Sequence, residues 1–278
     1  MKFILTDQGK INESESVSDS FIADFQVYEV FRIIDGIPLF LEDHFERLLN
    51  SLLILGLECP LPFPEFLQRA FDLISLNQQR QGNVRFVLVF TQHKPSWYFS
   101  FVPYVYPKPE DFRNGINTSL LEAERENPNA KVMHKNIRDK ANSLIAEQNL
   151  YEVLLTGQDG FITEGSRSNV FFIKGNVFYT APESRILVGI TRQKVIACLH
   201  ELGFRLVEEA VRKTSLETFE SVFLTGTSPK VLPVRTIDGL FFNPQHEILR
   251  MVMRKYDEMI ISYIEDRKKV WGNKIRSF

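Results

Sequence analysis

Between residues 152 and 180 four short apolar runs follow one another, at 152–155, 161–163, 169–173 and 177–180. Tight-turn sequences separate them, among them Gly157-Gln158-Asp159-Gly160 and Lys174-Gly175-Asn176. Runs this short, bounded by glycine and aspartate, read as strands and leave no room for helices. The second half of the chain is thereby committed to sheet. A helix follows at 191–202, with Thr191 as its cap, Val195, Ile196, Leu199 and Leu202 as its apolar stripe and Gly203 as its stop. Strands at 205–209 and 221–224 flank a short helix at 215–219, and a long helix at 244–266 closes the chain.

The first half carries the same signals in another order. Strands are expected at 3–5, 27–34, 38–41, 84–90 and 97–106, with Asp35-Gly36 as a hairpin turn. Asp43, with Glu46 three residues later, reads as a capping box for a helix that ends near Gly56, and a second helix covers 64–76. Pro107-Lys108-Pro109-Glu110-Asp111 has the composition of a linker. A further strand is expected at 115–121 and a helix at 139–148. The reading is α+β in two domains: a small N-terminal domain at 1–107, a linker at 108–114 and a larger sheet-rich domain at 115–278. A chain of 278 residues has the length for that division.

Composition narrows the partners. The net charge is −2, which gives no overall field for nucleic acid or anionic lipid. No run of 18 apolar residues offers a membrane span, and the start is too short an apolar run for a signal peptide. Two cysteines, Cys59 and Cys198, exclude a disulfide scaffold and fit a reducing, cytoplasmic setting. The five histidines are scattered without metal-ligand spacing, so no metal is expected. The sequence has no GxGxxG, no Walker A loop and no GxSxG.

Several residue groups have the chemistry of a site. Val188-Gly189-Ile190-Thr191-Arg192 puts a glycine, a hydroxyl and free N–H groups at a helix start, where an anion is favoured. Thr225-Gly226-Thr227-Ser228 follows a strand with small hydroxyl residues around a glycine. Glu164 stands between apolar strands, ahead of a run of small polar residues. His44 and Arg47, three apart, share one helix face, and Arg47 leads into an apolar stretch that would hold its head inward toward an anion. A catalytic lysine needs burial or a cationic neighbour. Lys131 lies at the edge of an apolar patch, with Lys135 and Lys140 as competitors, and charge spacing alone does not choose among them.

Taken in order, six segments resemble the class IV aminotransferase family, the fold-type IV enzymes that depend on pyridoxal 5′-phosphate (PLP). They are Val27-Tyr28-Glu29-Val30-Phe31-Arg32, Asp43-His44-Phe45-Glu46-Arg47-Leu48, Ile162-Thr163-Glu164-Gly165-Ser166 through Asn169-Val170-Phe171, Tyr179-Thr180-Ala181-Pro182, Leu187-Val188-Gly189-Ile190-Thr191-Arg192, and Thr225-Gly226-Thr227 through Pro233-Val234. The resemblance implies a two-domain fold-type IV enzyme, with a small sandwich-like N-terminal domain and the larger domain as the PLP-binding one. It implies that Lys131, 33 residues before Glu164, carries PLP as a Schiff base. Glu164 would pair with the ring nitrogen. Arg47, Gly189, Ile190, Thr191, Thr227 and Ser228 would hold the phosphate. Tyr28 would lie on the substrate side. The loop after the 84–90 strand, Thr91-Gln92-His93-Lys94-Pro95, lacks the Arg-x-His carboxylate trap of the D-amino acid enzymes, and His93 and Lys94 are the two candidates to replace it, His93 being the one taken for the substrate side. Also absent are the glycine-rich segment ahead of the VYE strand and the Lys-x-x-Asn pattern after the PLP lysine.

The activity implied is an aminotransferase moving an amino group between a small amino acid and a 2-oxo acid, in a homodimer. The alternatives are an aminodeoxychorismate lyase that releases pyruvate on the same scaffold, and a non-catalytic binding protein of the same fold.

Overall fold

The computed structural model describes residues 2–13, 25–90, 95–125, 128–131 and 135–272. The chain forms two compact units. One gathers Met1–Tyr104, Ala130–Met133 and Met259–Phe278, the other Val105–Asn129 and His134–Glu258.

The first unit contains β1 (Phe3–Thr6), β2 (Gly9–Asn12), β3 (Phe25–Ile34), β4 (Ile37–Pro38), α1 (Leu41–Ile54), α2 (Phe63–Asn77), β5 (Gly82–Phe90) and β6 (Ser96–Val102). Its six-stranded sheet runs β2-β1-β6-β5-β3-β4, with every neighbour antiparallel. The period of two in β3 sorts its side chains. Phe31 packs against His44 of α1 and Phe66 of α2 on one side, while Tyr28 joins Ile4, Val87, Val89 and Tyr98 on the other. Asp35 and Gly36 both take positive φ, as the two-residue hairpin turn requires. The strand expected at 97–106 stops at Val102, just before Pro103, whose missing N–H cannot extend a ladder.

Asp43 does not cap α1. The helix begins at Leu41, and its N-cap is Phe40 in the left-handed conformation, with no side-chain cap. The donor left open at Leu41 is met from far along the chain: its N–H donates to Tyr263 Oη at 3.2 Å. Tyr263 in turn donates to Glu42 Oε2 at 2.6 Å. A local cap is replaced by a tertiary one, 222 residues away in sequence.

The second unit contains α3 (Pro109–Asn114), β7 (Ile116–Glu122), α4 (Lys135–Gln148), β8 (Glu152–Thr156), β9 (Phe161–Gly165), β10 (Asn169–Lys174), β11 (Val177–Thr180), α5 (Ile190–Glu201), β12 (Arg205–Glu208), β13 (Val211–Arg212), β14 (Ser221–Gly226), β15 (Lys230–Ile237) and β16 (Leu240–Phe241). The last helix, α6 (Glu247–Val270), begins in this unit and passes into the first at Met259. The sheet runs β12-β11-β10-β14-β15-β7-β8-β9-β13, with β16 on β15. Leu154, Ile162, Val170, Phe172, Leu224 and Leu232 are among the buried residues of its core. The pairs β7/β8 and β11/β12 are parallel and need crossovers, which α4 and α5 supply.

Within the stretch expected as a linker, Pro109–Asn114 is helical. Proline occupies the first turn, where its missing donor costs nothing, and Asp111 Oδ2 accepts from the Lys108 N–H at 2.7 Å. Arg250 ties the end of α3 down by donating to Phe112 O and Arg113 O. No helix among the described residues is long and apolar enough to cross a membrane.

Candidate active site

In the first unit the site residues gather around β3 and α1. Glu29 lies on the helix-facing side of β3 and is fully buried. Three residues apart on α1, His44 and Arg47 meet it together. Arg47 donates from Nε to Glu29 Oε1 at 2.8 Å and from Nη2 to Oε2 at 2.7 Å, a two-point fork. His44 Nδ1 is 2.7 Å from Glu29 Oε2. Burial by itself would push the Glu29 carboxyl up. The Arg47 charge and the hydrogen bonds from His44 and Arg47 outweigh that and hold it at about 2. His44 moves the other way from its usual role in an ion pair: burial lowers it below 6.5 against the pull of Glu29. Through Nε and Nη2, Arg47 is thus engaged with a carboxylate of the protein itself.

Lys131 is held in this unit at three points. β4 pairs only with Ile33 and Ile34, which leaves the rest of that edge of β3 for other partners. There the Tyr28 N–H donates to Lys131 O at 3.2 Å. The Lys131 N–H donates to Ser51 Oγ at 3.2 Å, and Ser51 donates to Arg47 O at 2.9 Å. Lys131 Nζ stands 5.0 Å from the centroid of the Tyr28 ring. Its charge also contributes to lowering His44. Tyr28, His44, Arg47 and Lys131 thus form one local cluster, to which the structure adds Glu29 and Ser51. Of the competing lysines, Lys140 is exposed on α4 and Lys135 opens that helix, both in the second unit. His93 lies outside the described residues.

In the second unit a chain of contacts links the other candidates. Glu164, on β9, is buried, and its Oε2 accepts from the Leu187 N–H at 3.3 Å. Asn169 Nδ2 donates to Leu187 O at 2.9 Å. The same Asn169 side chain occupies the space where a Cβ on Gly189 would fall, so only glycine lets the two approach. Across the ladder Asn169 is paired with Thr225. Gly189, and not Thr191, is the N-cap of α5, and no side chain caps the helix. Among the described residues its first turn thus lacks the side-chain cap that usually meets such N–H groups. Thr225 Oγ1 is buried and has no hydrogen-bond partner among the described residues. An uncapped helix start, a glycine that admits close approach and an orphaned buried hydroxyl form a donor set suited to a phosphate. Ile190 and Thr191 lie in the first turn of α5, and Thr227 and Ser228 in the turn between β14 and β15. The neighbouring Arg192 is spoken for, fully buried and bonded to Glu208, Glu183 and Ala181 O.

The family's sequence profile, described as amino-transferase class IV, matches residues 26–237. The chain belongs to the class IV aminotransferase family. The D-alanine aminotransferase of Bacillus licheniformis is 32% identical over 228 residues, which is 77% of this chain and 79% of that protein. A putative branched-chain-amino-acid aminotransferase of Methanocaldococcus jannaschii is 29% identical over 271 residues, 90% of this chain and 89% of its own. Among solved structures, the branched-chain aminotransferase of the thermophilic archaeon Thermoproteus uzoniensis, with norvaline, superposes with a TM-score of 0.81 at 22% identity, over 96% of this chain and 97% of that one. This class IV aminotransferase therefore has the α+β fold of its family, the fold type expected from its sequence. Two of its charged groups, the buried Glu29 and the partly buried Arg125, were not among the expected site residues. Glu29 stood inside the VYE motif. Arg125 lies in a polar stretch with no pattern to mark it.

Proposed function

We propose that the protein is a PLP-dependent aminotransferase that moves an amino group between an amino acid and a 2-oxo acid. The observation that carries the reading is the three-point anchoring of Lys131, which fixes one amine beside a tyrosine ring and a buried charged cluster. PLP, when bound, supplies an electron sink that stabilises negative charge at the substrate α-carbon. Lys131 Nζ would hold the cofactor covalently and, once displaced, carry a proton to and from the α-carbon. Glu164 would give the ring nitrogen an anionic partner. The α5 start with Gly189, Ile190 and Thr191, together with Thr225, Thr227, Ser228 and Arg47, would hold the phosphate, so that binding energy is used to fix the ring's orientation. Tyr28 and His93 are proposed for the substrate side.

The finer assignments extend the same reading. A homodimer is expected, because the family resembled is one of homodimers. A cytoplasmic setting suits two free cysteines, Cys59 and Cys198. The substrate is sought first among those named by the relatives, D-alanine and the branched-chain amino acids. The test is to incubate the PLP-loaded protein with each amino acid and 2-oxoglutarate and to measure the new 2-oxo acid. Transfer from at least one donor is the expected result. No transfer from any donor, with pyruvate released from aminodeoxychorismate instead, would move the assignment to the lyase.

A further inference from the structure

We propose that Arg125 is a positioning residue for the cofactor ring: its guanidinium holds the Glu164 carboxylate in place and supplies the opposite charge that a buried carboxylate needs. The inference rests on the assignment of Glu164 to the ring nitrogen.

The geometry is local to the second unit. The chain stays beside β8 after β7 ends, since the Ala123 N–H donates to Thr156 O at 3.1 Å. Two residues on, Arg125 reaches back to β9. Its Nε donates to Glu164 Oε1 at 2.8 Å, and its Nη2 donates to Ser166 O at 2.8 Å. Both side chains of the pair are withdrawn from solvent, 12% exposed for Arg125 and 4% for Glu164. One guanidinium thus spans the carboxylate and the backbone two residues beyond it. That spacing fixes the carboxylate's direction as well as its charge, which a planar fork does better than an ammonium.

The loop it grips is braced from the other side. Glu152 is buried and accepts from Ser166 Oγ at 2.6 Å, Ser168 Oγ at 3.1 Å and the Arg167 N–H at 3.1 Å. The 164–168 turn is therefore pinned by a carboxylate on one flank and a guanidinium on the other. Of the two, only Arg125 touches Glu164. Removing it takes an opposite charge and a donor away from a buried carboxylate, a change that costs more than the loss of an exposed ion pair.

The experiment compares Glu164→Gln, Arg125→Met, Arg125→Lys and the double variant Arg125→Met/Glu164→Gln. Two quantities are read on each: the PLP dissociation constant, and the visible absorbance spectrum of the bound cofactor at fixed pH. Circular dichroism confirms that each variant is folded. Glu164→Gln is expected to weaken PLP at least tenfold and to shift the spectrum. Arg125→Met should reproduce that shift, Arg125→Lys should restore part of it, and the double variant should be no worse than Glu164→Gln alone, because the two residues act through one contact. A shift in Glu164→Gln with a wild-type spectrum and affinity in Arg125→Met would overturn the role of Arg125. A wild-type spectrum in Glu164→Gln would overturn the assignment of Glu164, a different result with a different cause. Should Arg125→Met fail to fold, Arg125→Lys decides: an intermediate spectrum supports the proposal, and a wild-type one contradicts it.

Discussion

Tyr28 and Lys131 meet at both backbone and side chain: the Tyr28 N–H donates to Lys131 O at 3.2 Å, and Lys131 Nζ stands 5.0 Å from the Tyr28 ring centroid. β4 pairs with β3 at Ile33 and Ile34, and further along the strand Tyr28 bonds the Lys131 carbonyl. That backbone bond holds in place the residue whose amine is proposed to carry the chemistry.

Acid should unfold the protein partly through Glu29. Its carboxyl is lowered from 4.5 to about 2 in the folded state. A depressed carboxyl contributes stability that is whole above 4.5 and is lost as pH falls toward 2, a difference of about 3 kcal/mol. His44 acts in the same direction: lowered below 6.5 by burial, it favours the fold while neutral and subtracts stability as acid protonates the unfolded chain first. Glu29→Gln should therefore be less stable than wild type at pH 7 in urea unfolding, with a gap that narrows between pH 4.5 and pH 2. A gap independent of pH would contradict the assigned cause.

Gly189→Ala should disturb the proposed phosphate site with little effect elsewhere. The new Cβ would fall on the Asn169 side chain, which is buried between Leu187 and the Thr225 ladder position. Forcing an atom into packed space costs roughly 1–3 kcal/mol. Titration should show PLP bound at least tenfold more weakly, with a melting temperature a few degrees lower. Unchanged affinity would remove Gly189 from the site.

Thr225→Val separates a ligand's hydroxyl from a structural one. The buried Oγ1 has no partner among the described residues, so replacing it by a methyl of the same shape should leave the cofactor-free protein as stable or raise stability by about 1 kcal/mol. PLP affinity should fall several-fold at the same time. A large loss of stability without cofactor would mean that the hydroxyl serves the fold.

Much of this was legible from local pattern. The β3 hairpin, α1, α5 and the strands from 152 to 180 follow from periodicity and from Asp35-Gly36, Gly56 and Gly203, signals confined to a few residues. The central strand β15 escaped because Pro233 argues against a strand interior. It is tolerated beside an irregular ladder, where β7 pairs only from Val234 and the register shifts before Thr236. The caps of α1 and α5 escaped for a related reason. Phe40 and Gly189 offer no side-chain acceptor, and α1 takes its acceptor from Tyr263. Ion pairs were the least legible. Glu29 with Arg47, and Glu164 with Arg125, are 18 and 39 residues apart, and nothing in the intervening sequence marks them as partners.

Lys131 is the amine proposed to bind the cofactor. Borohydride reduction of the PLP-loaded protein, followed by peptide mass mapping, reads it directly. A pyridoxyl mass on Lys131, absent in Lys131→Arg, is the expected result. A label confined to Lys135 or Lys140, or the same label in Lys131→Arg, would contradict it.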